Sequence, residues 1–285
     1  MGRFVQFVSS FRLARCRAKV TPRADRAARL TERYTCAMIL AVAGIPESAD
    51  ARVLAAKVTG LVLADLNRKL AGILPRVLFT GLGTATAPAM IQGLEALGFV
   101  VLTLEAAAPT DRERVIARRI EFANGTVFAT DGQARTHACP QSSISLLQRG
   151  ARTSTTSEKV TTSERKLDVG RAVMSGGLLL TKTTEKTSIK TSQNVEAFLL
   201  VQRNDGEPDL MLYERRIDYS ALGVEMQPAS RGNLETVWTK LKAMAPALVD
   251  DRVSRPGFVS GLPTTANDQV DLALFLVALA RRVGR

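Results

Sequence analysis

Apolar positions between residues 34 and 105 alternate between short continuous runs and helical spacings. Residues 34–43 (YTCAMILAVA) are a continuous apolar run, which is typical of a strand buried on both faces. The next segments predict, in order, a helix, a helix, a strand, a helix and a strand over residues 47–59, 62–73, 76–81, 86–97 and 99–104. The pattern therefore predicts a small β-α-α-β-α-β sandwich over residues 34–105.

The next segment combines a helix-start signal with two turn signals. Thr110–Glu113 has the spacing of a capping box ahead of an apolar series, which predicts a short helix. Asn124-Gly125 and Asp131-Gly132 predict hairpin turns on either side of a strand. Residues 106–134 are accordingly predicted to form a connector of one helix and one hairpin.

Residues 135–250 are predicted to be a β-rich domain closed by an amphipathic helix. The turn Asn204-Asp205-Gly206 predicts a hairpin between residues 196–203 and 210–219. A helix over residues 233–245 places Trp238 in the middle of its apolar face. The remaining segment, residues 251–285, ends in a helix that is apolar nearly all round and is predicted to pack between other elements. The predicted fold class is α+β.

Short motifs in residues 34–105 resemble the C-terminal domain of the bacterial ribosomal stalk protein, to which the Clp-protease N-degron adaptor is similar in fold. The motifs are Thr59-Gly60-Leu61, Leu63 at the start of the second helix, and the run EALGFV over residues 95–100. The resemblance covers a quarter of the chain. It implies an α/β sandwich with a protein-docking role, although fold alone does not establish function.

The same region departs from both families at the positions that bind their partners. Ala64 and Asn67 stand where the stalk domain carries lysines for translation factors, which leaves Arg68 and Lys69. The degron adaptor needs acidic and His groups around its pocket, and residues 34–105 contain no His. Separately, several antiparallel strands closed by one helix make residues 135–250 similar in topology to a pleckstrin-homology-like domain.

The net charge of +12 is concentrated in two segments. Residues 1–33 hold nine basic and two acidic side chains, a balance of +7, and residues 141–195 hold nine and four, a balance of +5. Residues 1–33 are predicted to be a basic N-terminal extension; a targeting segment, a functional basic arm and a solvated extension all remain open. A nucleic-acid-binding domain would be more uniformly basic.

The segment from 150 to 195 is rich in Thr, Ser and Lys, and residues 153–166, if they form a strand, have no apolar face. Such a segment is an edge strand, a projecting ribbon or disordered. We call Lys182, Lys186 and Lys190 the lysine stripe, because they fall on one strand face at steps of roughly 13 Å. They are candidate contacts for phosphates of lipid or nucleic acid. Lysines that keep edge strands from aggregating are the favoured interpretation, since no aromatic residue occurs from 129 to 197.

No spacing in the chain matches a known catalytic or cofactor motif. Gly81-Leu82-Gly83 precedes a helix, but Thr86 stands at the third position of a dinucleotide fingerprint. Ser175 lacks the Gly-x-Ser-x-Gly elbow. The acidic pairs Glu207 with Asp209 and Asp250 with Asp251 lie in predicted loops, where solvated turn residues are expected.

Metal and disulfide chemistry are equally weakly supported. His137 and Cys139 are a close pair, but His137 is the only His and zinc takes about four ligands. The three cysteines are Cys16, Cys36 and Cys139, an odd number at long spacings, which favours free thiols in a reducing cytoplasm. We predict no catalytic, metal-binding or cofactor-binding residues, and no cofactor.

These observations predict a non-enzymatic, cytoplasmic protein-binding or adaptor protein whose partner is another protein. The first alternative is phosphate-ligand binding, at a membrane surface or on nucleic acid, through residues 1–33 and the lysine stripe. The second alternative is an enzyme of unrecognised class. No stretch approaches the roughly 18 consecutive apolar residues of a transmembrane segment. The oligomeric state is left open by the sequence.

Overall fold

A computed structural model describes residues 38–83, 85–104, 108–167, 181–263 and 269–284, with only the backbone described over 154–167 and 181–193. The chain divides into two units, Met1–Thr35 and Cys36–Arg285, and all of the described residues belong to the second. This unit is α+β, as its sequence predicts, with one three-stranded and one seven-stranded sheet among its described residues.

The small sheet and its helices form in the predicted β-α-α-β-α-β order. Its strands are β1 (Met38–Gly44), β2 (Arg76–Leu82) and β3 (Val100–Leu104), antiparallel in the order β2-β1-β3. The helices are α1 (Ala49–Thr59), α2 (Leu63–Leu70) and α3 (Ala87–Ala96). Gly60 ends α1 with a left-handed φ of 69°, which a glycine adopts without strain.

Both faces of the small sheet are covered. Leu40 and Val42 of β1 pack against the three helices, in a core that also holds Leu66 of α2 and Leu94 of α3. Ala41 of β1 and Leu102 of β3 belong to a different core on the opposite face. Strand β1 is therefore apolar at every position because both of its faces are buried.

The large sheet has the strand order β10-β7-β8-β9-β4-β5-β6. Neighbouring strands are antiparallel except for the parallel pairs β10–β7 and β4–β9. The strands are β4 (Val115–Ala123), β5 (Thr126–Asp131), β6 (Thr136–Pro140), β7 (Ile144–Leu167), β8 (Thr181–Arg203), β9 (Leu210–Tyr213) and β10 (Val249–Asp250).

The predicted helix after Thr110 is wrong. The capping box itself forms, with the Thr110 N–H donating to Glu113 Oε2 at 2.8 Å, but it caps only the 3-10 turn Asp111–Glu113. The apolar series after this turn is strand β4, paired with β5 and β9. Its branched residues Val115, Ile116 and Ile120 favour a strand once sheet partners are available on both sides. The large sheet thus begins at Val115 and includes the segment predicted as a connector.

Two helices cover the two faces of the large sheet. Helix α4 (Ser230–Met244) packs its apolar face on one side, and Trp238 is buried there as predicted. Helix α5 (Gln269–Val283) packs on the other side, in a core that holds Phe198 and Leu200 of the large sheet and also Ala41 and Leu102 of the small sheet. The prediction that this last helix packs between elements is confirmed, since one core joins it to both sheets.

Strands β7 and β8 continue beyond the sheet as a two-stranded ribbon. They pair from Ile144 with Arg203 to Leu167 with Thr181, whereas β9 pairs with β8 only as far as Phe198. From Arg152 to Leu167 the ribbon spans roughly 50 Å. Across the described residues, no helix has both the length and the apolar character needed to span a bilayer.

Candidate functional site

A cleft of about 650 Å³ lies along the outer edge of β7, and we call it the edge cleft. Five segments line it: β7 from Arg149 to Thr153, β8 from Ala197 to Leu199, the first turns of α4, the chain from Val253 to Ser260, and the start of α5. The cleft lies where the large sheet ends and the ribbon begins. Strand β10 pairs with β7 only at Leu147 and Gln148, so this edge of β7 has no strand partner beyond them among the described residues.

The backbone of β7 presents unpaired groups to this cleft. The Ala197 carbonyl accepts a hydrogen bond from the Glu214 N–H at 2.9 Å, so the polar backbone groups of Ala197 face β9. Ala151 lies directly opposite Ala197 in the antiparallel ladder and therefore directs its own N–H and C=O away from β8. Thr153, two residues later and opposite Val195, likewise directs its N–H and C=O away from β8. Within the described part of the chain, no strand pairs with this side of β7 beyond Gln148.

One wall of the cleft carries arginines with weakly used donors. Arg149 Nη1 lies 3.5 Å from Glu235 Oε2, and Arg231 Nη2 lies 3.6 Å from Glu235 Oε1. These are long ion pairs, and among the described atoms the buried Nε of Arg149 has no hydrogen-bond partner. Each guanidinium has five N–H donors, so Arg149 and Arg231 retain donors for an anionic group.

The other wall mixes apolar and polar residues. It is formed by Val253, Val259 and Val270 together with Ser254, Ser260, Gln269 and Arg255. Arg255 Nη2 donates to Asp251 Oδ1 at 3.0 Å. The floor is Phe198, and Gly150 lies against its ring, where an added Cβ would approach Phe198 Cζ to 2.7 Å. Gly150 therefore permits the close approach of strand and ring at the base of the cleft.

A buried charge cluster holds β7 to helix α5 beside the cleft. Arg114 Nη1 donates to Asp271 Oδ1 at 2.5 Å, and Arg152 Nη2 donates to the same oxygen at 2.9 Å. The Arg114 and Asp271 side chains are each only 3% exposed. The Tyr213 hydroxyl donates to Asp111 Oδ2 at 2.6 Å, and burial together with this bond raises the pKa of Tyr213 above its ordinary value. The cluster fixes the wall that α5 contributes to the cleft.

The lysine stripe lies on the β8 half of the ribbon, away from the sheet. In the strand register, Lys182 stands opposite Lys166, Lys186 opposite Thr162 and Lys190 opposite Glu158. The side chains of the stripe lie outside the described residues, and so does Ser175. A phosphate-binding role for the stripe therefore stays a prediction.

His137 and Cys139 are on strand β6 and do not share an environment. His137 Nε2 lies 3.1 Å from Asp131 Oδ2, and this hydrogen bond is the main reason that the pKa of Asp131 is well below its usual range. Cys139 is fully buried, which raises the pKa of its thiol. Among the residues that the structure describes, no three His, Cys, Asp or Glu side chains are grouped to hold a metal ion.

The acidic pairs singled out in the sequence take part in turn structure. Asp209 Oδ1 accepts the Arg203 N–H at 2.9 Å, across the turn between β8 and β9. Asp250 Oδ2 accepts a bond from Arg252 Nη2 at 2.7 Å, and Asp251 pairs with Arg255. The glycine pair at 81 and 83 leads into α3, where the Thr86 hydroxyl donates to the Gly83 carbonyl at 3.2 Å. Each of these residues has a local structural partner except Glu207, for which only its backbone N–H bond to Asp205 is described.

Of the basic pair left on helix α2, one residue is engaged within the fold. Lys69 Nζ donates to the Leu78 carbonyl at 2.8 Å and lies 5.9 Å from the centre of the Phe79 ring. Arg68 is 79% exposed and pairs only with Asp65 three residues earlier. The basic surface that the stalk resemblance implies is thus reduced to one exposed guanidinium on this helix.

The arginines of the edge cleft were not singled out by sequence reasoning. Arg149, Arg231 and Arg255 come from three distant segments and show no common spacing. A usable signal existed for the buried cluster: Asp271 is the only acidic residue of helix α5 and is followed by a run of apolar residues, and a buried carboxylate requires a cationic partner. Comparison with models of protein families, with curated proteins and with solved structures returned no match. The stalk-domain and pleckstrin-homology-like resemblances therefore stay predictions.

Proposed function

We propose that this chain is a protein-binding module that holds an extended segment of another protein as an added strand along β7. The observation that carries the proposal is the edge at Ala151 and Thr153, whose outward N–H and C=O groups face a cleft of about 650 Å³. Extended peptides commonly bind in this way, with backbone hydrogen bonds supplying affinity and flanking pockets supplying specificity.

The position of β10 supports the same function. This strand has only two residues and pairs with β7 at Leu147 and Gln148, immediately before the cleft. A ligand strand would continue the line of β10 along β7. Since the walls from α4 and α5 rise on both sides of that line, the incoming strand would have neighbours for both of its faces.

The experiment uses synthetic peptides of about eight residues in which Val alternates with Glu, Thr or Lys. Binding is measured by calorimetry and by the fluorescence of Trp238, the only Trp, whose ring centre lies 5.5 Å from Arg149 Cζ. The expected result is that at least one peptide binds, and that N-methylation of one set of alternate residues abolishes binding while methylation of the other set does not. Only one set of N–H groups faces the protein in an added strand.

Protein variants test the edge directly. Ala151→Pro removes an outward N–H that makes no bond to β8, so the ribbon ladder survives while strand addition is blocked. Val195→Pro is the matched control, because Val195 lies opposite Thr153 and directs its N–H to the other edge of the ribbon. Binding lost in Ala151→Pro and kept in Val195→Pro supports the function. Binding of no peptide, or equal binding by Ala151→Pro, overturns it.

A further inference from the structure

We infer that the segment recognised by the edge cleft carries acidic residues at alternate positions, on the side that faces α4. This inference rests on the proposed strand addition and specifies its ligand. Side chains of a strand point alternately to opposite faces, so a strand lying beside β7 would direct one set of residues toward α4 and the other toward α5.

The α4 side selects for acidic residues. Arg149 and Arg231 lie side by side there, both drawn toward Glu235 at 3.5 and 3.6 Å. Arg149 Nη1 makes a long hydrogen bond to Glu235, whereas Arg231 approaches Glu214 Oε2 only to 3.7 Å, beyond hydrogen-bond distance. A ligand carboxylate between the two guanidinium groups would form charge-assisted hydrogen bonds shorter than any that these groups make now.

The opposite side makes no such selection by charge. It is lined by Val253, Val259 and Val270 and by the uncharged polar residues Ser254, Ser260 and Gln269, and the one cation among the described residues there, Arg255, is already hydrogen-bonded to Asp251. Val253 and Val270 are buried in the core, so this side offers a ligand little apolar surface. The two walls together therefore favour acidic residues at alternate positions over basic ones.

The charge of the cleft also argues against the chain's own N-terminal segment as the occupant. Residues 1–33 carry nine basic and two acidic side chains, and the described residues that line the cleft include three arginines and one carboxylate. Like charges brought together at an interface oppose binding. The occupant is consequently assigned to another protein.

The three alternating peptides distinguish this inference from the function on which it rests. The Glu–Val peptide should bind about tenfold more tightly than the Thr–Val peptide, and the Lys–Val peptide more weakly still, with a preference that shrinks as salt rises. Equal affinities for all three, with the methylation pattern retained, would leave strand addition standing and overturn the acidic preference. Loss of the methylation pattern would overturn both.

Two substitutions with opposite expected signs test the α4 wall. Arg231→Gln should weaken Glu–Val binding by about two- to fivefold, the range for a partly exposed ion pair. Glu235→Gln should strengthen it by a similar factor, because the competing carboxylate is removed from both arginines. Arg68→Gln, an exposed arginine on α2 with its own acidic partner, is the matched control and should leave binding unchanged. The inference is contradicted if neither single variant, Glu235→Gln or Arg231→Gln, changes the affinity for the Glu–Val peptide.

Discussion

Asp271 ties helix α5 to the large sheet through buried ion pairs. It is buried, and one of its carboxylate oxygens accepts hydrogen bonds from two arginines: Arg114, which directly precedes β4, and Arg152 of β7. Replacing a whole buried ion pair by apolar groups is often neutral, but removing one partner leaves the other charged and desolvated. The cluster therefore specifies how α5 meets the large sheet at the edge cleft.

We expect Asp271→Asn to lower the free energy of unfolding by about 3 kcal/mol, because Arg114 is left buried without a full counter-charge. Urea denaturation measures the loss. Asp65→Asn is the control: Asp65 and Arg68 are 46% and 79% exposed, and such pairs contribute less than about 1 kcal/mol. Equal losses in the two variants would contradict a special role for the cluster.

Tyr213 and Tyr219 make stability depend on pH in the alkaline range. Burial is the main cause that raises the pKa of each hydroxyl. The folded state therefore keeps protons that the unfolded state releases above about pH 10, so stability is fully present below that pH and falls as pH rises. In a Tyr34→Phe variant, where only these two tyrosines remain, phenolate absorbance should appear together with unfolding. Ionisation at an ordinary pKa before unfolding would show that the hydroxyls are accessible.

At the level of elements, the ribbon formed by β7 and β8 accounts for the polar, Thr-rich composition of these two strands. Its described backbone beyond the sheet pairs only within the ribbon, so both of its strands have an open edge. Open edges are where sheets of different molecules join, and lysines discourage that pairing. The lysine stripe fits this interpretation better than it fits a packed strand.

We expect the triple change of Lys182, Lys186 and Lys190 to Gln to increase aggregation on heating without changing binding to anionic vesicles or duplex DNA. Light scattering and a binding assay at two salt concentrations measure both effects. The control removes the same charge from helices, with Lys57, Lys240 and Lys242 changed to Gln. Phosphate contacts would instead be established if the wild type binds in a salt-sensitive way and the stripe variant loses this binding. For DNA, the slope of log affinity against log salt concentration would then fall by about 2–3.

For the molecule as a whole, the decisive feature is the core that joins the two sheets through α5. Ala41, Leu102 and Leu104 of the small sheet are buried in the same cluster as Phe198 of the large one. The small sheet has helices of its own on one face only, so its other face depends on α5. Stability is therefore expected to be shared across this core.

We expect residues 34–105, prepared alone, to bind an apolar dye and to unfold at lower urea than the full chain. The physical reason is the exposed face around Leu102, which α5 covers in the intact protein. Residue-level hydrogen exchange of the full chain supplies the comparison. A fragment that is as resistant to urea as the full chain, without dye binding, would mean that α5 contributes little to the small sheet.

A chain that begins at Thr31 should keep its thermal midpoint within about 2 °C, since surface changes rarely exceed ~0.5 kcal/mol. Residues 1–33 carry a charge of +7, and the chain divides into separate units at Thr35 and Cys36. Repeating the melt at higher salt separates the effect of lost charge from that of lost packing. A drop of many degrees that salt does not change would show that the segment packs on the fold.

Local patterns were sufficient for the elements whose signals lie within a few residues. The β-α-α-β-α-β order, the hairpin turns at Asn124 and Asn204, and the burial of Trp238 all follow from periodicity and turn chemistry, because neighbouring residues alone produce those signals. The segment after Thr110 shows where such patterns end: the same apolar series suits a helix or a strand, and partners β5 and β9 select the strand.

The edge cleft depended entirely on contacts between distant segments. The sequence predicts that residues 153–166 have no apolar strand face, but not that β10 ends at Asp250, opposite Gln148, and leaves Ala151 facing α4 and α5. Nor does it bring Arg149 beside Arg231, or Arg114 beside Asp271. Strand partners and ion pairs of this kind follow from the path of the whole chain, which brings together groups that no spacing along the sequence relates.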